Sequence, residues 1–159
     1  LAGAVLIDSS HPDQVWRLEA LNSMEKNDSR ELLNPISAVT SGVPDDAQSF
    51  WHFLNTQRKS IFTQMNELKY FKESAQEVAQ AGNFPDVPLS VITRGKELLP
   101  ATADGHSLEK EWLDMQRNLV TLSTQGWQTI ATNSGHSAYI DEPDLVIEEI
   151  LKVVAKTNH

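Results

Sequence analysis

The chain has 159 residues, of which 40% are hydrophobic and 22% are charged. These values are typical of a globular protein about one domain in length, and they exclude an intrinsically disordered chain. Thirteen lysines and arginines stand against 22 aspartates and glutamates, so the formal net charge is -9. This acidity argues against non-specific nucleic-acid binding and against docking on an anionic membrane, because both need a basic surface.

Two further classes of protein are excluded by what the sequence lacks. Cysteine is absent, which excludes disulfides, thiolate zinc sites and a cysteine nucleophile. No apolar run approaches the roughly 20 residues of a membrane-spanning helix, and no basic-then-apolar leader appears. We therefore expect a soluble domain without a membrane span. Its compartment stays open, with the cytoplasm favoured.

The chain opens with an apolar run over residues 1–7, which ends at Asp8. This pattern predicts a strand that is buried on both faces, as in parallel sheets. A natural chain rarely opens with its most buried strand, so we expect Leu1 to be a cut or processed end. We also expect the bare edge of this strand to be covered, either by an N-terminal half of the protein or by a second copy.

The middle of the chain predicts helices. Apolar residues recur at helical intervals over residues 12–22 and again over residues 49–80, and we expect the second region to be broken near residues 68–71. Residues 27–48 hold prolines and glycine among Ser, Asn and Asp, which predicts an irregular connection. Two prolines within residues 82–88 end the helical region.

The remainder of the chain alternates between strand and helix. Residues 89–93 are rich in β-branched side chains and predict a second strand, and a long helix is expected over residues 107–123. A third strand follows at residues 127–131, and a last helix begins near Pro143. This alternation predicts an α/β fold in which helical crossovers connect the strands of a parallel sheet.

Two polar residues follow strands of this predicted sheet. His136 lies in the sequence Asn-Ser-Gly-His after the third strand, and Asp8 ends the first strand. Ligands of parallel sheets bind beyond the carboxyl ends of the strands, and Gly135 permits a sharp turn and a close approach of the backbone. A histidine and a carboxylate at neighbouring strand ends fit the base and orienting acid of acyl transfer. The alternative is that His136 ends the strand and Asp8 accepts hydrogen bonds from loop amides.

Three segments resemble the α/β-hydrolase family. Residues 135–146, Gly-His-Ser-Ala-Tyr-Ile-Asp-Glu-Pro-Asp-Leu-Val, resemble the catalytic-histidine segment that follows the last strand of these enzymes. Residues 4–13, Ala-Val-Leu-Ile-Asp-Ser-Ser-His-Pro-Asp, resemble the sixth strand, and residues 88–95, Pro-Leu-Ser-Val-Ile-Thr-Arg-Gly, resemble the seventh. The resemblance spans the whole chain.

The resemblance implies the C-terminal part of an α/β-hydrolase, with a sheet that is incomplete in this chain. Residues 1–12 would be strand six with its acid loop, residues 13–86 a helical lid (cap) insertion, and residues 87–159 the C-terminal α/β part of the core. The family places its nucleophile on a Gly-x-Ser-x-Gly turn after strand five, and this sequence contains no such turn. The oxyanion-hole loop of the family also precedes these segments.

The activity implied by the resemblance is that of a serine-type hydrolase acting on an ester, amide or related carbonyl substrate, without a cofactor. His136 would take and return the proton of a nucleophile carried by a missing N-terminal part, so this chain alone is expected to be inactive. Two alternatives stay open. One is an enzyme similar to haloalkane dehalogenases, with an aspartate nucleophile, and the other is a non-catalytic interaction module.

The acid of the resemblance has more than one candidate. Most members of the family carry it after strand seven, where this chain has Glu97. Other branches, including some haloalkane dehalogenases, take it from the end of strand six, where this chain has Asp8. We favour Asp8, with Glu97 as the alternative acid and Asp104 as a more distant candidate.

Candidate substrate contacts come from the loop after the first strand and from the helical region. His11 could face the substrate cleft or serve only its own loop, and the aromatic residues could line a pocket beneath the lid or belong to a helical core. These candidates are His11, Trp51, Phe53 and Phe62, with Met65 beside them. His52 and His106 lack a carboxylate or histidine at ligand spacing, so no metal site is expected.

Overall fold

The computed structural model describes residues 1–17, 44–98 and 103–157. Its centre is a parallel sheet of three strands in the order β1 (Ala4–Ile7), β2 (Leu89–Arg94) and β3 (Gly126–Ala131). The register places Ile7 beside Ile92 and Ile92 beside Thr129. The predicted α/β class with an open parallel sheet is thereby confirmed.

Helices connect and follow the strands. In chain order they are α1 (Gln14–Arg17), α2 (Asp45–Thr56), α3 (Arg58–Gln80), α4 (Ala103–Val120), α5 (Ala138–Asp141) and α6 (Pro143–Thr157). None of the helices in the described ranges is long and apolar enough to cross a membrane. The start of the last helix at Pro143 agrees with the prediction.

The break in the helical region lies at Gln57, so the predicted break at residues 68–71 is wrong. Gln57 has an extended backbone with ψ 138°, and side chains close the end of α2. The side-chain amide of Gln57 donates to the backbone carbonyl of Phe53 at 2.8 Å, and the Ser60 hydroxyl donates to the backbone carbonyl of Leu54 at 2.7 Å. These side chains add hydrogen bonds to carbonyls in the last turn of α2, where the helix itself supplies few donors.

The predicted irregular connection over residues 27–48 is wrong at its end, because α2 already begins at Asp45. Pro44 precedes this helix, and the carboxylates of Asp45 and Asp46 stand in its first turn, where the helix dipole favours negative charge. The rest of the predicted connection, and residues 18–22 of the first predicted helix, lie outside the described residues.

The two faces of the sheet are covered by different helices. On one face, Leu89 and Val91 of β2 pack with Leu119 of α4. On the other, Ile92 of β2 packs with Val146 of α6. All six residues of β2 are buried, including the polar residues Ser90, Thr93 and Arg94, as expected for the central strand of a parallel sheet that is covered on both faces. The loops that follow β1 and β3, on either side of β2, therefore start from a packed core.

The first strand is half-buried, so the prediction that it is buried on both faces overstated its burial. Ala4 donates its N–H to Pro88 and Asp8 donates to Ile92, so alternate residues of β1 face β2. The N–H and C=O groups of Val5 and Ile7 accordingly point to the open side. Within the described residues this side has no neighbouring strand.

Candidate functional site

The carboxyl edge of the sheet brings Asp8 and His136 together. Asp8 directly follows β1, and His136 lies in the loop after β3. The Nδ1 atom of His136 is 2.9 Å from Oδ2 of Asp8, across 128 residues of sequence. The ends of β1 and β3, which flank β2, thus bring the two predicted residues into contact, although their strands are not neighbours as expected. Glu97 has no part in this contact.

The carboxylate of Asp8 is fully buried and accepts hydrogen bonds at both oxygens. Oδ1 accepts from Nε1 of Trp112 at 3.1 Å and from the backbone N–H of Arg94 at 3.2 Å. Oδ2 accepts from His136 and lies 3.3 Å from Nη1 of Arg94. Burial opposes ionisation, but the hydrogen bond from His136 and the charge of Arg94 outweigh it, so the pKa of Asp8 is lowered.

The backbone of Asp8 adopts a conformation that few side chains tolerate. Its φ is 42°, and among the described residues it alone has a positive φ without being glycine. Aspartate and asparagine are among the residue types that enter this left-handed region most readily, at a cost of about 1–3 kcal/mol. The chain thus turns sharply where β1 delivers its carboxylate.

His136 is the exposed member of the pair, with 67% of its side chain accessible to solvent. An ionised carboxylate can only accept, so Nδ1 carries the hydrogen of the bond to Asp8. The lone pair of the neutral ring is then on Nε2, which has no hydrogen-bond partner among the described residues. The arrangement can accept a proton at Nε2 and stabilise the resulting imidazolium.

Acidic residues shape the loop that carries His136, a role that the sequence reasoning missed. One oxygen of Glu142 accepts from the backbone N–H of Asn133 at 2.8 Å and from the hydroxyl of Ser134 at 2.7 Å. Asp141 accepts from the N–H of Gly135 at 3.0 Å. The hydrogen bond from Ser134, followed by those from Asn133, lowers the pKa of Glu142. Carboxylates within a few residues of a turn rich in N–H groups were the available signal.

The closest backbone approach near the site is at Gly95 instead of Gly135. A Cβ atom on Gly95 would lie 2.6 Å from the Cα of Thr132, so the chain after β2 touches the chain after β3. At Gly135 the nearest atom would be in the flexible side chain of Leu98, at 3.3 Å, and its φ is not positive. The close approach expected at Gly135 therefore belongs to Gly95.

The alternative acid is placed with a different histidine. Oε2 of Glu97 lies 3.3 Å from Nδ1 of His106, and both side chains are more than half exposed. This is a surface pair, in contrast to the buried carboxylate of Asp8. The side chain of Asp104, the third candidate, lies outside the described residues.

His11 is buried and uses both ring nitrogens within the protein. Nε2 contacts the carbonyl oxygen of the Asn118 side chain at 2.9 Å, and Nδ1 accepts the N–H of Asp13 at 3.0 Å. His11 also lines a pocket of about 190 Å³, together with Phe71 and Val78 of α3. A substrate contact by His11 stays a prediction, and it would have to be made through the face of the ring.

The predicted aromatic contacts lie on α2 and α3. Phe53 is 58% exposed and Phe62 is 51% exposed, and Trp51 is half-buried with its ring edge-on to His52. Met65 is also exposed. None of these four residues lines the pocket beside His11, and their contact with a substrate stays a prediction.

The sequence reasoning missed the polar residues behind Asp8. The cation of Arg94 joins Asp8 to Glu109, and Trp112 supplies the indole N–H. An arginine at the end of a buried strand was the available signal, because a buried cation needs carboxylates around it. In the described ranges no three residues among His, Asp and Glu are grouped so that they could hold a metal ion. Comparisons with family models, curated proteins and solved structures found no match for this chain.

Proposed function

We propose that Asp8 and His136 are the acid and base of a hydrolase of the α/β-hydrolase type, acting on an ester, amide or related carbonyl substrate. The nucleophile and the oxyanion-hole donors would come from polypeptide outside this chain, as the resemblance implies. One observation carries the proposal. A buried, ionised carboxylate holds Nδ1 of an exposed histidine at 2.9 Å and so leaves Nε2 free to take a proton.

Each residue then has a defined step. Nε2 of His136 takes the proton of the nucleophile's hydroxyl while that oxygen attacks the substrate carbonyl. The imidazolium that forms is stabilised by Asp8, which stays ionised throughout. Nε2 then returns the proton to the leaving group, so the histidine ends the step neutral. Positioning by Asp8 also keeps the ring in the tautomer that the reaction needs.

The open edge of β1 offers a place for the polypeptide that would carry the nucleophile. The N–H and C=O groups of Val5 and Ile7 point to that edge, next to Asp8 and the candidate site. A parallel strand added there would end next to Asp8, because parallel strands share a carboxyl edge. A nucleophile on the turn after such a strand would lie at the same edge as Nε2 of His136.

A second candidate function is a non-catalytic interaction module. The observation that favours it is the exposed apolar surface of α2 and α3, which includes Phe50, Phe53 and Phe62. Exposed apolar side chains that form a large patch are typical of protein-binding surfaces. Under this alternative the Asp8–His136 pair would only stabilise the loop after β3.

The two candidates differ in turnover. The test measures hydrolysis of p-nitrophenyl esters by this chain and by the longest polypeptide that its gene encodes, each as wild type and His136→Ala. We expect this chain to show no turnover above background. We expect the longer polypeptide to lose on the order of 10⁴-fold or more with His136→Ala. Equal turnover by the wild-type and His136→Ala forms of the longer polypeptide would contradict the hydrolase proposal, as would a gene product without activity toward any ester or amide.

A further inference from the structure

We propose that Arg94 is a positioning residue that acts through Asp8. Its guanidinium, anchored on Glu109 and lying over Trp112, holds the Asp8 carboxylate ionised and turned toward His136. The catalytic meaning of this role rests on the proposed function. The contacts themselves belong to this chain, so they can be tested without turnover.

The guanidinium of Arg94 bridges two buried carboxylates. Arg94 is 7% exposed, with Nη1 3.3 Å from Oδ2 of Asp8 and Nη2 2.8 Å from Oε2 of Glu109. Its central carbon lies 4.4 Å from the centroid of the Trp112 ring. A planar guanidinium can make these three contacts at once, whereas a lysine ammonium offers a single point of charge. The plane of the group, and with it the position of Nη1, is therefore determined from three directions.

Glu109 fixes Arg94 from the side opposite Asp8. Its Oε1 accepts the backbone N–H of Leu98 at 2.7 Å, while its Oε2 accepts from Arg94. The carboxylate therefore ties α4 to the loop after β2 and cannot follow Arg94 if the arginine moves. Trp112 stands on the same helix and donates to Oδ1 of Asp8. Helix α4 thus contributes both the anchor of Arg94 and a direct donor to the acid.

The charged groups that face the Asp8 carboxylate come from different elements. Among the described residues they are Arg94 at the end of β2 and His136 after β3, with Glu109 of α4 behind Arg94. The positive charge of Arg94 opposes the cost of burying an ionised carboxylate. Arg94 thereby keeps Asp8 in the form that accepts the hydrogen of Nδ1 of His136.

The test follows the Asp8 carboxyl carbon by ¹³C NMR during a pH titration of the chain. Removing Arg94 alone would break the ion pair of the buried Glu109 carboxylate with Arg94, so Arg94→Met is combined with Glu109→Gln. We expect the Asp8 titration midpoint to be about 1–3 pH units higher in the double variant than in Glu109→Gln alone, because these two proteins differ only in Arg94. Arg94→Lys should raise it by a smaller amount, and Glu109→Gln alone should not raise it. Arg117→Met is the matched control, because Arg117 forms an exposed pair with Asp114 away from the site.

A midpoint in a folded double variant equal to that of Glu109→Gln would overturn the proposal, since Arg94 would then only fill its position. If the double variant does not fold, Arg94→Lys decides, and a midpoint equal to that of wild type there overturns the proposal as well. A raised midpoint without esterase activity of the complete gene product leaves the role of Arg94 standing and removes the proposed function. Esterase activity of the complete gene product with an unchanged Asp8 midpoint leaves the proposed function standing and contradicts the role of Arg94.

Discussion

Arg94 lies over the ring of Trp112, with the guanidinium carbon 4.4 Å from the centroid of the indole, and both residues donate a hydrogen bond to the carboxylate of Asp8. Arg94 is the last residue of β2, and Trp112, 104 positions after Asp8, belongs to α4. The acid is consequently held by two packed elements, while the histidine that it orients stays exposed.

The first prediction ranks the two candidate acids in the complete gene product. Asp8→Asn should lower kcat/KM by about 10⁴, because an amide can hold His136 in the wrong tautomer. Asparagine tolerates the positive φ at this position, so the fold should survive. Glu97→Gln, which removes only an exposed pair with His106, is the control and should change kcat/KM little. A larger loss for Glu97→Gln than for Asp8→Asn would move the acid to Glu97.

The second prediction concerns the two glycines near the site. Gly95→Ala should lower the free energy of unfolding by about 1–3 kcal/mol, because its Cβ would meet the backbone of Thr132 at 2.6 Å. Gly135→Ala should cost less, because the side chain of Leu98 can move away. Urea unfolding of both variants measures the difference. Equal losses would show that the strand ends can separate without cost.

The third prediction concerns the pH dependence of stability and the buried carboxylate of Glu149. Burial opposes its ionisation, but hydrogen bonds from Lys152, Ser90 and Trp127 outweigh burial and lower the pKa of Glu149 from 4.5 to about 2. A carboxyl group with a lowered pKa stabilises the folded state fully above the unfolded pKa, near 4.5, and loses this contribution as the pH falls toward 2. The contribution at neutral pH is on the order of 3 kcal/mol.

The measurement compares wild type with Glu149→Gln. Glutamine has nearly the same shape but cannot ionise, so the variant should unfold more easily at pH 7. The difference in the free energy of unfolding between the two proteins should shrink as the pH falls from 4.5 to 2. A difference that stays constant over this range would mean that shape, and not the charge of Glu149, stabilises the contact between α6 and the sheet.

The fourth prediction concerns the open edge of β1. Unpaired strand edges with apolar side chains favour association, so we expect the chain to self-associate in the absence of an N-terminal half. Val5→Pro removes an N–H on the open side and should weaken association, whereas the hydrogen bonds of Ala4 and Asp8 to β2 stay available. Light scattering over a range of concentrations measures both proteins. A strictly monomeric wild type with a cooperative thermal transition would argue against a covered edge, and with it against a missing half.

The order of strands and helices, and the location of the candidate site, follow from the sequence alone. An apolar run marks β1 and a cluster of β-branched residues marks β2, and both are local properties of the sequence. Asp8 directly follows β1 and His136 lies in the loop after β3. Parallel strands end at one edge of a sheet, so the location of both residues at this edge follows from topology without any knowledge of packing.

Only the tertiary structure decided which groups complete the site and which helix ends where. Arg94 and Glu109 meet Asp8 because β2 and α4 pack beside β1, and hydrogen bonds across such distances in the chain leave no periodic trace in the sequence. The close approach at Gly95 depends on the separation of two strand ends, and the helix break at Gln57 depends on side chains that satisfy the last carbonyls of α2. Local propensity determines the elements of this protein, whereas burial and charge compensation between distant elements determine its polar centre.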